Sequence, residues 1–376
     1  MTDQMLRDLL EERVAGVTMD DLSAVAWSDG RRSRRRDGLA VVGCAGLVAA
    51  VVTTGIAVLG GDGRPSPTAP APGVPTATSG APDGSDAVYE GVPVWWSLDQ
   101  QEEQELAAVD SPLPAVVDLE AGPLAKAIPY AVAAFSVGDR VRLVGPNGYQ
   151  LSVGISRLED VVKPNGYSFR PVHTSMLSPS GDYVVFPQNG SVAVYTVAGG
   201  QWRSIDTGTA RTLDVTWYDD DTLLLPREGS GGAGPMWDVD GTPAGEGQRP
   251  RANPGFDVMT AQAYGQTLIR GTSSAQSWGM GVPVPVREPG RDVSSPDFLV
   301  ATVGGTTSLL AIMWNRRDGR FKDCCPVAGW LADDVLVYES RQTEPVLVAW
   351  TVGTREFRQV SRIKGEYSLA SFARLS

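Results

Sequence analysis

Two kinds of apolar patterning divide the chain. From Gly38 to Gly61 there are 24 residues without a charge, bounded by Asp37 and Asp62. At 1.5 Å per residue a helix of this length reaches about 36 Å, enough for a hydrocarbon core of about 30 Å. Lipid offers backbone N–H and C=O groups no partner, so such a run satisfies them within itself as a helix. The pattern predicts one transmembrane helix over 38–61. Beyond it, over 88–376, apolar residues come in short runs at close spacing, with no long amphipathic helix past a turn or two around Gln100 to Ala108.

Those short runs repeat. Trp217-Tyr218-Asp219-Asp220-Asp221-Thr222-Leu223-Leu224 and Trp330-Leu331-Ala332-Asp333-Asp334-Val335-Leu336-Val337 place Trp, an Asp pair and Leu at identical offsets, 113 residues apart. A degenerate copy runs from Ser178 to Val185. Strands anchored near Leu143, Val184, Leu223, Leu268, Leu299 and Leu336 are spaced by 41, 39, 45, 31 and 37 residues. A period near 40 with several short strands per unit is the signature of a β-propeller blade. Asn147-Gly148, Asn165-Gly166 and Asn189-Gly190 supply the positive φ that tight hairpin turns need. The last strand, Tyr367 to Phe372, is expected to join Val92 to Ser97 and Ala115 to Leu119 in a composite blade. An open edge would otherwise invite aggregation. The predicted fold is all-β, a propeller of seven blades with six as the alternative.

Leu177-Ser178-Pro179-Ser180-Gly181-Asp182, followed by Tyr183 to Phe186 and Ser191 to Val197, resembles the repeat of TolB-like and WD-repeat propellers. A short leading stretch, an Arg cluster, one span and a Pro-rich stalk are together similar to actinobacterial membrane-anchored propeller proteins. The resemblance implies architecture over 88–376 and no catalytic positions, because blade motifs are structural. The Gly-His and Trp-Asp signatures of WD repeats proper are missing from the repeat ends.

Charge sets the orientation. Arg31, Arg32, Arg34, Arg35 and Arg36 precede the span and only Arg64 follows closely, so the N-terminus is expected in the cytoplasm and 88–376 outside. A cleaved twin-arginine signal at Ser33-Arg34-Arg35 and a lipobox at Val41-Val42-Gly43-Cys44 compete with this reading. The first lacks an A-x-A site after its long apolar run, and the second leaves too short an apolar region before Cys44. Residues 62–87 hold six prolines, four glycines and five alanines, and form a stalk with no core of its own. Within 1–37, Met5, Leu6, Leu9 and Leu10 make one apolar stripe, and Met19, Leu22, Val25 and Ala26 make another. Either they belong to a topogenic tail or they dock a cytosolic partner, a sigma factor being one candidate.

Composition narrows the chemistry. A net charge of -12 argues against nucleic acid as a partner, since phosphates require a basic face. One histidine, His173, and three cysteines leave little for zinc or haem, and no cofactor or metal site is expected. His173 is expected to be structural. Ser361-Arg362-Ile363-Lys364 matches S-x-x-K in letters, but that motif works on a helix, where i and i+3 share a face. The Asp pairs, and Asp238-Val239-Asp240-Gly241, read as turn tips rather than metal ligands, because adjacent carboxylates of a strand face apart. Cys324-Cys325 can close a strained vicinal disulfide in an oxidising compartment or remain two thiols. Trp95, Trp96, Trp217, Trp278, Trp314, Trp330 and Trp350 offer stacking surfaces for glycans or, more simply, packing between sheets.

No catalytic residue is assigned from the sequence. The function expected is a membrane-anchored extracytoplasmic binding module for a protein, glycan or small ligand. An extracytoplasmic hydrolase or lyase with carboxylates and Arg on the propeller rim is the alternative.

Overall fold

A computed structural model of the chain describes residues 84–376 apart from 90, 164–165, 209–211, 228–229, 231, 250–260, 281–297, 313–326 and 342–343. The segment 1–37 expected in the cytoplasm, the expected span 38–61 and nearly all of the expected stalk lie outside the described residues, as do Cys324 and Cys325. Among the described residues no helix is long and apolar enough to cross a membrane.

In chain order the structure opens with the hairpin β1 (Ala87–Tyr89) and β2 (Val92–Trp96), then a single helical turn, α1 (Gln100–Gln104). Asp99 caps α1 by accepting from the amides of Gln101 and Glu102, and Glu102 returns the bond to the Asp99 amide. Next come β3 (Val116–Asp118), the run β4 (Ala133–Val137), β5 (Arg140–Val144) and β6 (Gln150–Gly154), and a small hairpin of β7 (Val161–Val162) and β8 (Ser168–Phe169). A three-stranded unit follows: β9 (Tyr183–Gln188), β10 (Ser191–Thr196) and β11 (Gln201–Asp206). Then come β12 (Thr216–Trp217), β13 (Thr222–Leu224), β14 (Ala233–Asp238) and β15 (Pro243–Gln248). The next four are β16 (Ala261–Arg270), β17 (Ser273–Met280), β18 (Phe298–Val303) and β19 (Thr306–Ala311). The chain closes with β20 (Val327–Ala332), β21 (Val335–Ser340), β22 (Val346–Thr351), β23 (Phe357–Lys364) and β24 (Leu369–Phe372).

These strands form five antiparallel blades of a propeller. Blade 1 has the order β24-β4-β5-β6, so the last strand of the chain becomes the innermost strand of the first blade. Blade 2 is β9 to β11, with Leu177 bridging to Val184 on its inner side. Blades 3, 4 and 5 are β12 to β15, β16 to β19 and β20 to β23. Shared cores join neighbours. Phe135 of blade 1 clusters with Leu347 of blade 5, Leu143 of blade 1 with Phe186 of blade 2, Val194 of blade 2 with Leu223 of blade 3, and Leu299 of blade 4 with Trp350 of blade 5. A strand buried on both faces carries a continuous apolar run rather than an alternating one, as β22, Val-Leu-Val-Ala-Trp-Thr, does.

Five blades are seen among the described residues, where seven, or six as the alternative, were expected. Two features misled the spacing. Leu268 and Leu299 lie in β16 and β18 of one blade rather than in two. The strands at Val92 and Val116 do not meet the C-terminal strand in a composite blade; β24 pairs with β4 instead. They serve as a strap outside the ring. β2 runs parallel to β19 on blade 4, Ala108 and β3 run parallel to β23 on blade 5, and Leu124 bridges in parallel to Gln150 on blade 1. Each addition covers a blade edge that would otherwise offer unpaired backbone groups.

Within the blades the Trp repeat forms a ladder. Trp217 pairs with Leu223 and Leu223 with Trp237; Trp330 pairs with Leu336 and Leu336 with Trp350. Blade 2 places Leu177, Val184 and Tyr195 on the same three rungs. The turns agree with their sequence signals: Asn189-Gly190 joins β9 to β10 with Gly190 at φ 76°, and Gly241 at φ 95° turns β14 into β15. Gly181, at φ 80°, is a different case, because a Cβ there would collide with the carbonyl of Ala131 in blade 1, whose amide donates to Gly181 O at 2.9 Å.

Candidate functional site

The inner strands of four blades converge on a cavity of about 390 Å³. β12 contributes Thr216 and Trp217, the end of β16 contributes Leu268 to Arg270, β20 contributes Ala328 to Trp330, and β24 contributes Phe372. Arg249 reaches it from the segment after β15. An inner strand is the one element of a blade whose edge faces the axis, so residues remote in sequence meet there.

At one end lie the turns that leave the inner strands, and here the carboxylates and arginines meet. Arg270 Nε lies 2.8 Å from Asp333 Oδ1, linking blades 4 and 5, and Arg374 Nη1 lies 3.0 Å from Asp220 Oδ2, linking the C-terminal tail to blade 3. Ser273 Oγ donates to the Asp333 carbonyl at 2.6 Å. The tail crosses this end: Leu375 is buried against Gly329, where a Cβ would come within 2.9 Å of the leucine side chain, and Arg270 also meets Ser376 Oγ. Asp219 accepts from the amides of Asp221 and Thr222 at 3.2 and 2.8 Å. Burial raises the Asp219 pKa, but these bonds and one with the Thr222 side chain outweigh it and hold the carboxyl below its ordinary value. The Asp221 carboxyl is raised, chiefly by its hydrogen bond to Asp219.

The other end holds His173, Asp214 and Arg249, all on connections that lead into or out of blades. Ser175 N donates to His173 Nδ1 at 3.3 Å, which places the ring proton on Nε2. Nε2 is buried. Burial first, and the Arg249 charge second, push the imidazole down to about 4, with the Val185 carbonyl pulling the other way. Burial also lowers the Arg249 guanidinium, and Asp214 partly offsets that.

A second polar cluster sits between blades 5 and 1. Glu339, fully buried on β21, accepts from Tyr367 Oη at 2.6 Å and pairs with Arg341, whose guanidinium carbon lies 4.8 Å from the Tyr367 ring centre. Burial, together with the Glu339 charge, pushes the Tyr367 phenol well above its ordinary value. This cluster pins the connection from β23 to β24 onto blade 5.

Several residues singled out in the sequence fall in place without joining a site. Ser361 and Lys364 lie on β23, and Ser361 Oγ donates to Pro114 O at 2.8 Å, fastening the outer strap. Asp238 and Asp240 flank a hairpin turn. Among the described residues no group of three or more His, Cys, Asp or Glu could hold a metal ion. Trp95, Trp96 and Trp350 are buried between sheets, whereas Trp217 and Trp330 are buried and also wall the cavity. Arg249, Arg270 and Arg374 carried no sequence signal, because isolated arginines 21 and 104 residues apart acquire meaning only when the ring brings them together.

No protein-family model and no curated protein matches the chain. Among solved structures, the β-propeller domain of the Trilobed protease from Pyrococcus furiosus, with an open velcro topology, overlaps 64% of this chain and 70% of its own at 9% identity and a TM-score of 0.25. The isopeptidase AtxE2 overlaps 68% of this chain at 13% identity and TM-score 0.29, and Pyrococcus horikoshii acylaminoacyl peptidase 64% at 10% and 0.25. The chain spans less than half the length of these last two, 46% and 39%.

Proposed function

We propose that the propeller is a binding module whose small ligand occupies the axial cavity, and that residues 38–61 anchor it in a membrane with the propeller outside. The cavity carries the first part: about 390 Å³, walled by Trp217 and Trp330 and furnished with a few charged side chains, it has the size and mixed lining of a small-molecule site. The uncharged run and the preceding arginines support the second. Native mass spectrometry of the full-length protein from its producing cells should show a small-molecule adduct. Thr267→Trp, which fills the cavity from β16, should abolish it. An unliganded wild-type spectrum, or an adduct that survives the filled cavity, would sink the reading. For orientation, protease added to intact spheroplasts should digest the propeller and spare residues 1–37; a protected propeller would reverse it.

The second reading, a hydrolase or lyase acting at the rim, draws on the Arg–Asp pairs at the tail end of the axis and on Asp219 and Asp221, whose acidities are driven apart. Its test is substrate turnover by the purified protein, lost in Asp219→Asn.

A further inference from the structure

Nine large apolar side chains are exposed among the described residues, and three of them, Val162, Tyr167 and Phe169, fall within eight residues at the β7–β8 hairpin. Single exposed apolar residues are ordinary on a protein surface, whereas a group of them on one small element marks a contact. Val162 is 55% exposed, Tyr167 56% and Phe169 41%, while Val161 beside them is buried. Val161 pairs with Phe169 and Val162 with Ser168, so the hairpin carries exposed apolar side chains on both of its faces. Strands of two residues have no core to hold this shape. Amide side chains hold it instead: Gln188 Oε1 accepts from Glu159 N at 3.1 Å, Asn189 Oδ1 accepts from Val162 N at 3.0 Å, and Asn189 Nδ2 donates to Asp160 O at 3.1 Å. The Arg170 guanidinium also donates to Gly138 O, so blades 1 and 2 both brace the hairpin.

Position selects the occupant. The hairpin lies on the connection from β6 to blade 2, at the His173 end of the axis. The chain enters the propeller at that same end: β2 runs parallel to β19, away from the turns that leave the inner strands, and β1 runs back against β2, so Ala87 starts there. Asp86 Oδ2 fixes the entry by accepting from Trp96 N at 2.9 Å. The residues before 84 include the uncharged run 38–61, so a bilayer that holds this run is tethered to the end that carries the hairpin. Charges around the hairpin are mixed, Arg157, Lys163 and Arg170 against Glu159 and Asp160, which leaves apolar contact as the attraction. Lys163 Nζ lies 4.2 Å from the Phe169 ring centre, a cation beside an aromatic ring that suits the boundary between headgroups and acyl chains. Resting on the anchoring part of the reading above, we propose that the β7–β8 hairpin dips into the lipid surface through Val162, Tyr167 and Phe169 and holds the His173 end of the propeller against the membrane.

Full-length protein is reconstituted in phosphatidylcholine nanodiscs with the photoreactive p-benzoylphenylalanine in place of Tyr167. Irradiation is expected to add the mass of a lipid to the peptide that carries the probe. The same probe in place of Lys126, exposed beside the start of β6 at the opposite end, should capture none. The pair Val162→Asp and Phe169→Ser should cost the Tyr167 probe its lipid adduct, because hydrocarbon expels a charged side chain. Circular dichroism checks that the pair folds, and Val162→Ser alone, which should reduce the adduct, takes its place if it does not. No adduct at Tyr167, equal capture at Lys126, or an adduct indifferent to the substitutions overturns the proposal. Protein that does not enter the discs removes the anchor and this inference with it, whereas protein that enters them without a hairpin adduct overturns the inference and leaves the anchor standing.

Discussion

Trp330 donates its indole N–H to the carbonyl oxygen of Leu268 at 3.4 Å, across the boundary between blades 5 and 4. Its counterpart Trp217 does the same to Met176, also at 3.4 Å, from blade 3 to blade 2. The repeated tryptophan is thus a link between neighbouring blades as well as a filler within one. Trp330→Phe keeps most of the ring and loses the bond, so it should cost about 1 kcal/mol, whereas Trp330→Ala should cost about 3 to 5 kcal/mol. Urea midpoints of the two variants against wild type measure the difference, and an unchanged midpoint in Trp330→Phe would deny the hydrogen bond a share.

Two glycines with positive φ separate strain from collision. Gly138, at φ 56°, has open space where a Cβ would stand, whereas Gly181, at φ 80°, faces the Ala131 carbonyl. Gly138→Ala should destabilise by about 1 kcal/mol and Gly181→Ala by clearly more, at least about 3 kcal/mol, since blades 1 and 2 must move apart. Thermal melts of both variants check the order.

His173 should make stability fall in mild acid. Its folded pKa of about 4 lies below the ordinary 6.5. Between these values the unfolded chain takes up a proton that the folded protein refuses. The contribution is complete above pH 6.5 and is lost as pH falls toward 4, on the order of 2 kcal/mol between pH 7 and pH 5. The window is clean because the chain has one histidine. Urea unfolding at the two pH values should show this drop in wild type and little of it in His173→Asn. Arg249→Gln, which removes the second cause of the shift, should shrink it.

Deleting residues 369–376 should open the ring. β24 pairs with β4 over four residues, Phe372 meets Phe135 edge-on at 5.9 Å, and Ser371 Oγ accepts from Leu177 N at 3.0 Å. The truncated protein is expected to lose cooperative unfolding and to associate through the bared edge of β4, which sedimentation velocity would reveal.

Much of the fold was legible because blade strands announce themselves through local rules. The apolar runs, the Asn-Gly turns and the Trp, Asp-Asp, Leu spacing each depend on residues close in sequence, and the structure places them in strands, turns and one recurring ladder. The ladder's third rung, Trp237 and Trp350, lies 20 residues beyond Trp217 and Trp330, and the same comparison could have found it. Blade number was not legible. An apolar run such as Val116–Asp118 looks alike whether it forms a blade or lies against the outside of one, because pairing partner and direction are set by tertiary contacts. The cavity was hidden for the same reason: Arg270 and Arg374 meet at one end of the axis and are strangers along the chain.

The closure of blade 1 also imposes an order in time. Three of its strands leave the ribosome early, yet the innermost one is not made until residue 372, so the first blade begun is the last one finished. While some 200 residues are still being added, β4 presents an unpaired edge, and blades 2 and 5, the neighbours of blade 1, form beside a sheet that has no inner strand. Non-local pairing of this kind is slow, since the loop between the partners is closed only at the end. For the nascent protein the interval between β6 and β24 is therefore the period of greatest exposure.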